Sequence, residues 1–500
     1  MDTTLRDGEQ TSGVSFSAEE KLSLTSLLLE DLKVDRVEIA SALVSEGEFE
    51  AVRKVTNWAQ RRGRLHQIEV LGFVDGQRSL RWIQDAGCRV LNLLCKGSLK
   101  HVTEQLRKTP QEHLAGIEEV VRHAEISGIT VNIYLEDWSN GMLHSPDYVF
   151  FMMDRLRRLP VRRIMLPDTL GILSPEQTAG LCSQMLARYL EIHFDFHAHN
   201  DYDLAVANVM MAVQAGAKGI HTTVNGLGER AGNAPLSSVL AVLHDLLNVK
   251  TGIVEKNINK ISRMVESSSG IHIPANKPVI GENVFTQCAG IHADGDKKNN
   301  LYFNDLLPER FGRMREYALG KMSGKANIQK NLEMLGIVLD EESMHKVTER
   351  IIELGDKKQL VTQDELPYII SDVLKHVQNA KIKVVGYALS VSKGLRPMAA
   401  VKLEIEGRTY EATAAGDGQY NAFTKALWKI YNRQLSKPTP VLTNYVVTIP
   451  PGGQTDALVQ TTISWNFQGK DFKTTGLDPD QTEAAIKATV KMLNIIEDML

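Results

Sequence analysis

The sequence predicts an α/β chain in three parts: a (β/α)8 TIM barrel over 1–255, mainly helical linker subdomains over 256–385, and a duplicated βββα (α+β) domain over 386–500. Three observations predict it. Eight short apolar or alternating runs recur, with helical stretches between them, up to about residue 250, which is the rhythm of such a barrel. Beyond it the pattern turns helical, and from about 381 alternating strands take over. Those strands then repeat without a gap.

The first strand candidate is "DTTLRD" (2–7), which follows Met1 directly, so a short first strand or a truncated chain is expected. "RVEIAS" (36–41), "QIEVLGF" (67–73) and "RVLNLLCKG" (89–97) come next, then "TVNIYLED" (130–137), "RRIMLPDT" (162–169), "HFDFHAHN" (193–200) and "GIHTTVNG" (219–226). Helices between them open with Ser17-Ala18-Glu19-Glu20, Thr109-Pro110-Gln111-Glu112 and Ser174-Pro175-Glu176-Gln177. In each, a hydroxyl can cap the free amides of the first turn while the acid or amide three residues on reaches back. A doubly wound open sheet competes, but no GxGxxG follows the first strand.

Residues 256–385 carry "AGIHADGDKKNN", "ALGKMSGKANI" and helices such as "EESMHKVTERIIELGDK". In the last part, "EGRTYEATAAGDGQYNAFTKAL" (406–427) aligns gaplessly with "QGKDFKTTGLDPDQTEAAIKAT" (468–489). Gly407 matches Gly469, Tyr410 matches Phe472, Thr413 matches Thr475 and Ala422 matches Ala484. Two strand-strand-strand-helix copies, about 386–430 and 440–495, predict pseudo-two-fold symmetry. Neither copy has a catalytic cluster, so binding or regulation is its expected role.

A net charge of −4 with basic residues spread along the chain argues against nucleic-acid and membrane-surface partners. No apolar run approaches the ~20 residues of a membrane span. Cys88, Cys95, Cys182 and Cys288 show no CxxC spacing, so a reduced, cytoplasmic protein is expected.

Barrel chemistry collects at the C-terminal ends of the strands. Here those ends hold Arg6/Asp7, Ser41, Phe73, Glu136/Asp137, Asp168/Thr169, His197/His199 and Asn225. Side chains alternate along a strand, so His193, Asp195, His197 and His199 share one face, with Phe194, Phe196 and Ala198 on the other. An isolated HxH is more often satisfied structurally than metal-bound. Here Asp7, on a strand near the seventh in a closed barrel, can supply a third ligand, and Asn233 in "GLGERAGN" can complete a divalent-metal set with positions open for substrate. Two histidines and one carboxylate also describe the non-haem iron triad, which usually sits on another fold. Arg6 suits a carboxylate or a developing oxyanion, or a structural ion pair with Glu136; Glu136 could alternatively orient water or move a proton.

"DTTLRDGEQT", "HAHND" and "NGLGERAGN", in this order and followed by "ALGKMSGKA" and the duplicated domain, resemble the DRE-TIM metallolyase family in its α-isopropylmalate, homocitrate and citramalate synthase branch. The resemblance spans nearly the whole chain. It implies a Claisen-type condensation of acetyl-CoA, as cosubstrate, with a 2-oxo acid, followed by thioester hydrolysis. It implies a divalent metal (Mn, Mg, Zn or Co) on Asp7, His197 and His199 with Asn233 close by. Arg6 would stabilise the alkoxide, Thr169 would touch the oxo-acid carboxylate, Glu136 would sit in the site and Phe73 beside the acyl-CoA. His292 and Tyr302 would reach in from the partner of a swapped homodimer.

In this family the oxo-acid side chain looks toward the positions of Leu71, Leu94 and Tyr134. Leu94 and Tyr134 make a tight wall that suits a methyl group, so pyruvate is expected over 2-oxoisovalerate, the alternative being that both are barrel core. The terminal repeats would bind an end-product amino acid, expected to be isoleucine. Two rivals stay open: an acyl-CoA lyase of the hydroxymethylglutaryl type, for which Cys288 lacks a glycine-flanked GC motif, and a non-catalytic amino-acid sensor.

Overall fold

The computed structural model describes residues 1–298, 301–356, 361, 363–374, 382–405, 407–448 and 459–499. By internal contacts the chain divides into two units, Met1–Phe285 with Asn304–Met314, and Thr286–Phe303 with Arg315–Leu500.

In the first unit the short β-prone runs become seven parallel strands hydrogen-bonded in chain order. They are β1 (Val37–Ser41), β2 (Ile68–Phe73), β3 (Val90–Lys96), β4 (Thr130–Glu136), β5 (Val161–Asp168), β6 (Phe194–Ala198) and β7 (Gly219–Ile220). The expected first strand is reduced to one residue. Asp2 bridges Val37 on one side and Thr222 on the other, in parallel, and so closes the barrel. Its side chain explains the brevity: Asp2 Oδ1 accepts from Thr4 N at 3.0 Å, and the Thr3 carbonyl accepts from the amides of Arg6, Asp7 and Gly8. An Asx turn thus bends the chain where alternation predicted a strand. The last candidate, 219–226, also shortens, ending in a 3-10 turn over Val224–Gly226.

All three expected helix starts form complete capping boxes, Ser17 with Glu20, Thr109 with Glu112 and Ser174 with Gln177. Outward strand residues such as Val37, Ile39, Leu91, Leu93, Phe194 and Phe196 are buried with helix residues in one core. The barrel interior is polar at one level. Glu38 is in register with Glu69, and Asn92 with Asn132. Asn92 Nδ2 donates to Glu38 Oε1 at 2.7 Å, Asn132 Nδ2 donates to Asn92 Oδ1 at 2.7 Å, and Arg163 pairs with Glu69. Buried charges are tolerated here because each is paired and hydrogen-bonded.

In the second unit, β8 (Thr286–Gln287) pairs with β9 (Glu316–Tyr317). Helices Lys325–Leu335, Glu341–Asp356 and Leu366–Leu374 share a core around Ile328, Val347 and Ile351. Two antiparallel three-stranded sheets follow. One is β10 (Ile382–Ser390), β11 (Met398–Ile405) and β12 (Arg408–Ala415), the other β13 (Val441–Thr448), β14 (Val459–Phe467) and β15 (Lys470–Asp478). Each is followed by a helix, Gln419–Lys429 and Gln481–Met499, and all pack into one core. Gly407 and Gly469, matched in the repeat, both turn with positive φ (75° and 85°) at the hairpin into the third strand. Among the described residues no helix is long and apolar enough to cross a membrane, and all four cysteines are free.

Candidate metal centre and substrate pocket

The alternation of "FDFHAHN" holds through β6 and one step beyond. Phe194 and Phe196 are buried outward in the core, while His197 and His199 turn to the mouth of the barrel. Asn233 arrives by an antiparallel bridge to His199, a pairing that puts both side chains on one face. The loop that delivers it needs its glycines. A Cβ on Gly232 (φ +84°) would stand 1.9 Å from the Gly226 carbonyl, and one on Gly228 would stand 2.2 Å from Asn233 Nδ2. Asp7 comes from the turn after Asp2. One ligand atom from each of Asp7, His197 and His199 lies within 4.8 Å of the others, all three residues being buried.

These residues fit a cation. Asp7 Oδ1, His197 Nδ1, His199 Nδ1 and Asn233 Oδ1 are buried without a hydrogen-bond partner among the described residues. Orphaned buried polar atoms are costly, and a carboxylate and two imidazoles whose ligand atoms lie this close, with the Asn233 amide bridged to His199, make a donor set for a divalent ion. Burial pushes the Asp7 carboxyl up, but Arg6, with His197 and His199, overrides it and holds it well below the usual range. Burial, and then His197, push the His199 imidazole down to about 4, so it is neutral and ligand-competent at neutral pH.

Arg6 is fixed beside this set. Its Nη1 lies 3.3 Å from Asp7 Oδ2, its Nε donates to Glu38 Oε2 at 2.6 Å and its Nη2 donates to Tyr134 Oη at 3.3 Å. The expected Arg6–Glu136 ion pair is not made. Glu136 pairs with Lys96 at the end of the neighbouring strand, whereas Glu38 stands nearer the turn that carries Arg6. Glu38 and Lys21 were both missed in the sequence, because each reads as part of an ordinary run. Lys21 is buried, donates to the carbonyls of Leu5 and Ile39 at 3.0 Å each, and pairs with Glu9 at 2.7 Å, holding the Arg6 turn against β1. A cavity of about 600 Å³ opens beside Arg6, lined by Glu9, Phe16, Ser45 and Glu48 among others.

Leu71, Tyr134 and Met165 form a small buried cluster against which Leu94 packs. Leu94 is in register with Tyr134, and Tyr134 with Met165. Met165 was not foreseen; nothing in "RRIMLPDT" marks it apart from core. Thr169 Oγ1 accepts from Asp137 N at 2.9 Å, which leaves its hydroxyl hydrogen to give. Phe73 ends β2 and is 37% exposed. In the second unit the rings of His292 and Tyr302 lie 4.3 Å apart, with His292 Nδ1 3.1 Å from Gln287 Oε1. Asn200 and Asp201 are structural: Asn200 Oδ1 accepts from Ala205 N at 3.1 Å, and Asp201 is held by two contacts from Arg230 at 2.7 and 2.9 Å.

The HMGL-like family profile matches residues 1–265. The homocitrate synthase post-HMGL domain-like profile matches 279–359, and that of the LeuA allosteric (dimerisation) domain matches 360–497. A protein of Methanopyrus kandleri named putative (R)-citramalate synthase CimA is 35% identical over 428 residues, 85% of this chain and 82% of its own. One of the same name from Archaeoglobus fulgidus is 32% identical over 499 residues, 99% of each chain. The 2-isopropylmalate synthase of Methanocaldococcus jannaschii is 31% identical over 503 residues, 99% of this chain and 94% of its own. Among solved structures, a Bacillus subtilis HMG-CoA lyase aligns with 55% of this chain and 94% of its own at 20% identity, TM-score 0.48.

Proposed function

Because the chain belongs to the HMGL-like (DRE-TIM metallolyase) family, in its citramalate and 2-isopropylmalate synthase branch, we propose that it condenses acetyl-CoA with pyruvate to give (R)-citramalate and CoA. Condensation of acetyl-CoA with a 2-oxo acid is the activity of this branch, an acyl transfer in which the acyl group becomes an alkyl group. The observation that carries the finer reading is the tight wall of Leu71, Leu94, Met165 and Tyr134 beside Arg6 and the Asp7–His197–His199 set.

Asp7, His197, His199 and Asn233 would hold the divalent cation (Mn, Mg, Zn or Co), which when bound supplies Lewis-acid polarisation of the keto group. Arg6, its guanidinium already oriented by Glu38 and Tyr134, would donate to the oxygen on which alkoxide charge develops. Thr169 would give its free hydrogen to the oxo-acid carboxylate. The wall would suit a methyl group and disfavour a branched one. Phe73, partly exposed at the end of β2, would lie against the acyl-CoA, and Glu136 would sit at the mouth. A methyl proton leaves acetyl-CoA, the new carbon–carbon bond forms at the keto carbon, and hydrolysis of the thioester releases CoA.

The duplicated domain matches an allosteric, dimerisation domain, which supports a homodimer; in this reading its C-terminal parts are swapped, and His292 and Tyr302 of the partner subunit would complete each site. It also supports feedback by an end-product amino acid, for which isoleucine follows from the pyruvate reading; a cytoplasmic enzyme accords with both. A free-thiol assay of CoA release with and without divalent metal, over a panel of 2-oxo acids, tests the reading. A far higher kcat/KM for pyruvate than for 2-oxoisovalerate is expected. Equal or reversed values would leave 2-isopropylmalate synthase, the name carried by the Methanocaldococcus relative.

A further inference from the structure

Tyr134 belongs to the substrate wall, yet its hydroxyl also lies in the middle of a buried chain of polar atoms that starts at Asp195. Asp195 Oδ2 accepts from Arg36 Nη2 at 2.9 Å and lies 3.8 Å from Arg163 Nε, while Oδ1 lies 3.0 Å from His193 Nε2. Four cationic or donor groups around one carboxyl keep it ionised, and a carboxylate only accepts. His221 Nε2, 3.1 Å from Asp195 Oδ2, therefore carries its ring hydrogen and donates it. The His221 ring is fully buried, which disfavours a second hydrogen, so Nδ1 presents a lone pair. Tyr134 Oη lies 3.0 Å from that Nδ1. The phenol has one hydrogen, and Glu38 Oε2, the competing acceptor, is 3.5 Å away, at the outer limit of a hydrogen bond. The hydrogen goes to His221. What Tyr134 offers in other directions is a lone pair, and Arg6 Nη2 donates into it at 3.3 Å.

We propose that His221, fixed by Asp195, is a positioning residue: it takes the Tyr134 hydroxyl hydrogen, turns the phenol oxygen toward Arg6 as an acceptor, and leaves the substrate wall no hydrogen to give. Two consequences follow, both resting on the condensing activity proposed above. Arg6 is held at Nε by Glu38 and at Nη2 by Tyr134, so its orientation toward the developing alkoxide depends on a histidine on the opposite side of the phenol. The wall also disfavours any 2-oxo acid whose side chain carries a hydrogen-bond acceptor, since a dicarboxylic 2-oxo acid would bury its second carboxylate against a lone pair. The substrate class is thereby narrowed to monocarboxylic 2-oxo acids with apolar side chains.

The test is a double-mutant cycle in the full-length enzyme. His221→Ala is expected to lower kcat with pyruvate about tenfold, the size of one lost net hydrogen bond, with Mn²⁺ affinity by calorimetry unchanged. In the Tyr134→Phe background the same substitution is expected to cost nothing further, and His221→Asn, whose amide oxygen can stand where Nδ1 stood, is expected to recover most of the activity. Losses that simply add in the double variant would overturn the proposal. An activity-independent measurement accompanies it: the tyrosine Fermi doublet in ultraviolet resonance Raman, taken as wild type minus Tyr134→Phe, reports whether that phenol donates or accepts. It is expected to show a donor in the wild type and in the His221→Asn variant and to lose that character in His221→Ala; a doublet unmoved by His221→Ala would also overturn the proposal. If no 2-oxo acid releases CoA from the wild type, the condensing reading fails, and the Raman comparison still decides the orientation of Tyr134.

Discussion

Asp7 keeps its charge in a place where burial alone would neutralise it, because Arg6 stands 3.3 Å away and His197 Nε2 lies 3.1 Å from the same oxygen. That negative charge is what a divalent cation would find first. Asp7→Asn keeps the shape and removes the charge, so Mn²⁺ affinity by calorimetry is expected to fall by at least the 10–100-fold seen when mere supporting partners of metal sites are lost; wild-type affinity would remove Asp7 from the ligand set. Leu94 poses a question of volume instead. Leu94→Ala opens the wall beside Tyr134, and kcat/KM for 2-oxoisovalerate relative to pyruvate is expected to rise by about 10-fold or more, within the ~1–3 kcal/mol of a methylene contact. An unchanged ratio would return Leu94 to the barrel core. The residues legible in the sequence were those set apart by motif: Asp7, His197, His199 and Asn233. Glu38 was not, because its significance lies in three partners, Arg6, Asn92 and Tyr134, that only the closed barrel brings together. The one visible sign was a polar residue at matching depth in four successive strands, Glu38, Glu69, Asn92 and Asn132.

At the scale of elements, periodicity and caps carried far. The alternation in β6 put its histidines inward and its phenylalanines outward as expected, and the three capping boxes began helices where hydroxyl and acid predicted them. The two ends of the barrel sequence were misread as full strands, since alternation cannot show that Asp2 will fold back on Thr4 N or that Asn225 will turn with φ +61°. One strand–helix contact has a pH dependence that can be measured. His113, in the helix Pro110–Ile126, accepts from Lys96 N at the end of β3 at 3.0 Å. Burial, and then Lys108 and Lys96, push its imidazole down to about 4. In the unfolded chain an ordinary histidine takes up its proton near pH 6.5, so below that pH the unfolded state binds more protons. The contribution is complete above about 6.5 and is lost as pH falls toward 4, on the order of 1–3 kcal/mol over that window. His113→Gln can keep an acceptor for Lys96 N without titrating. Its Tm is expected to fall less than that of the wild type between pH 6.5 and 4.5 in thermal melts, and parallel curves would show that His113 does not titrate on unfolding.

For the whole molecule, a division of labour follows from where the chemistry-bearing side chains lie. Among the described residues, the one group of three or more metal-competent side chains is in the barrel unit. The duplicated domain offers something different: a cavity of about 500 Å³ lined by Tyr420, Asn421, Thr424 and Trp428 of one repeat and by Leu442, Tyr445 and Trp465 of the other. Aromatic walls with a few polar groups suit a small apolar ligand with a polar head, which accords with an amino-acid effector. The gapless repeat announced the two halves, while the space between them depended on how the first helix meets the second sheet, which no pattern within one repeat encodes. If isoleucine binds the folded enzyme there, it must protect the surrounding amides, because a ligand stabilises the state that binds it. Hydrogen exchange of the full-length enzyme with saturating isoleucine is expected to slow in Gln419–Lys429 and β14 more than in β1–β7, and Trp428→Ala is expected to weaken both the protection and the inhibition of CoA release. Inhibition by isoleucine with protection confined to the barrel strands would place the effector at the active site and leave the duplicated domain to dimerisation alone.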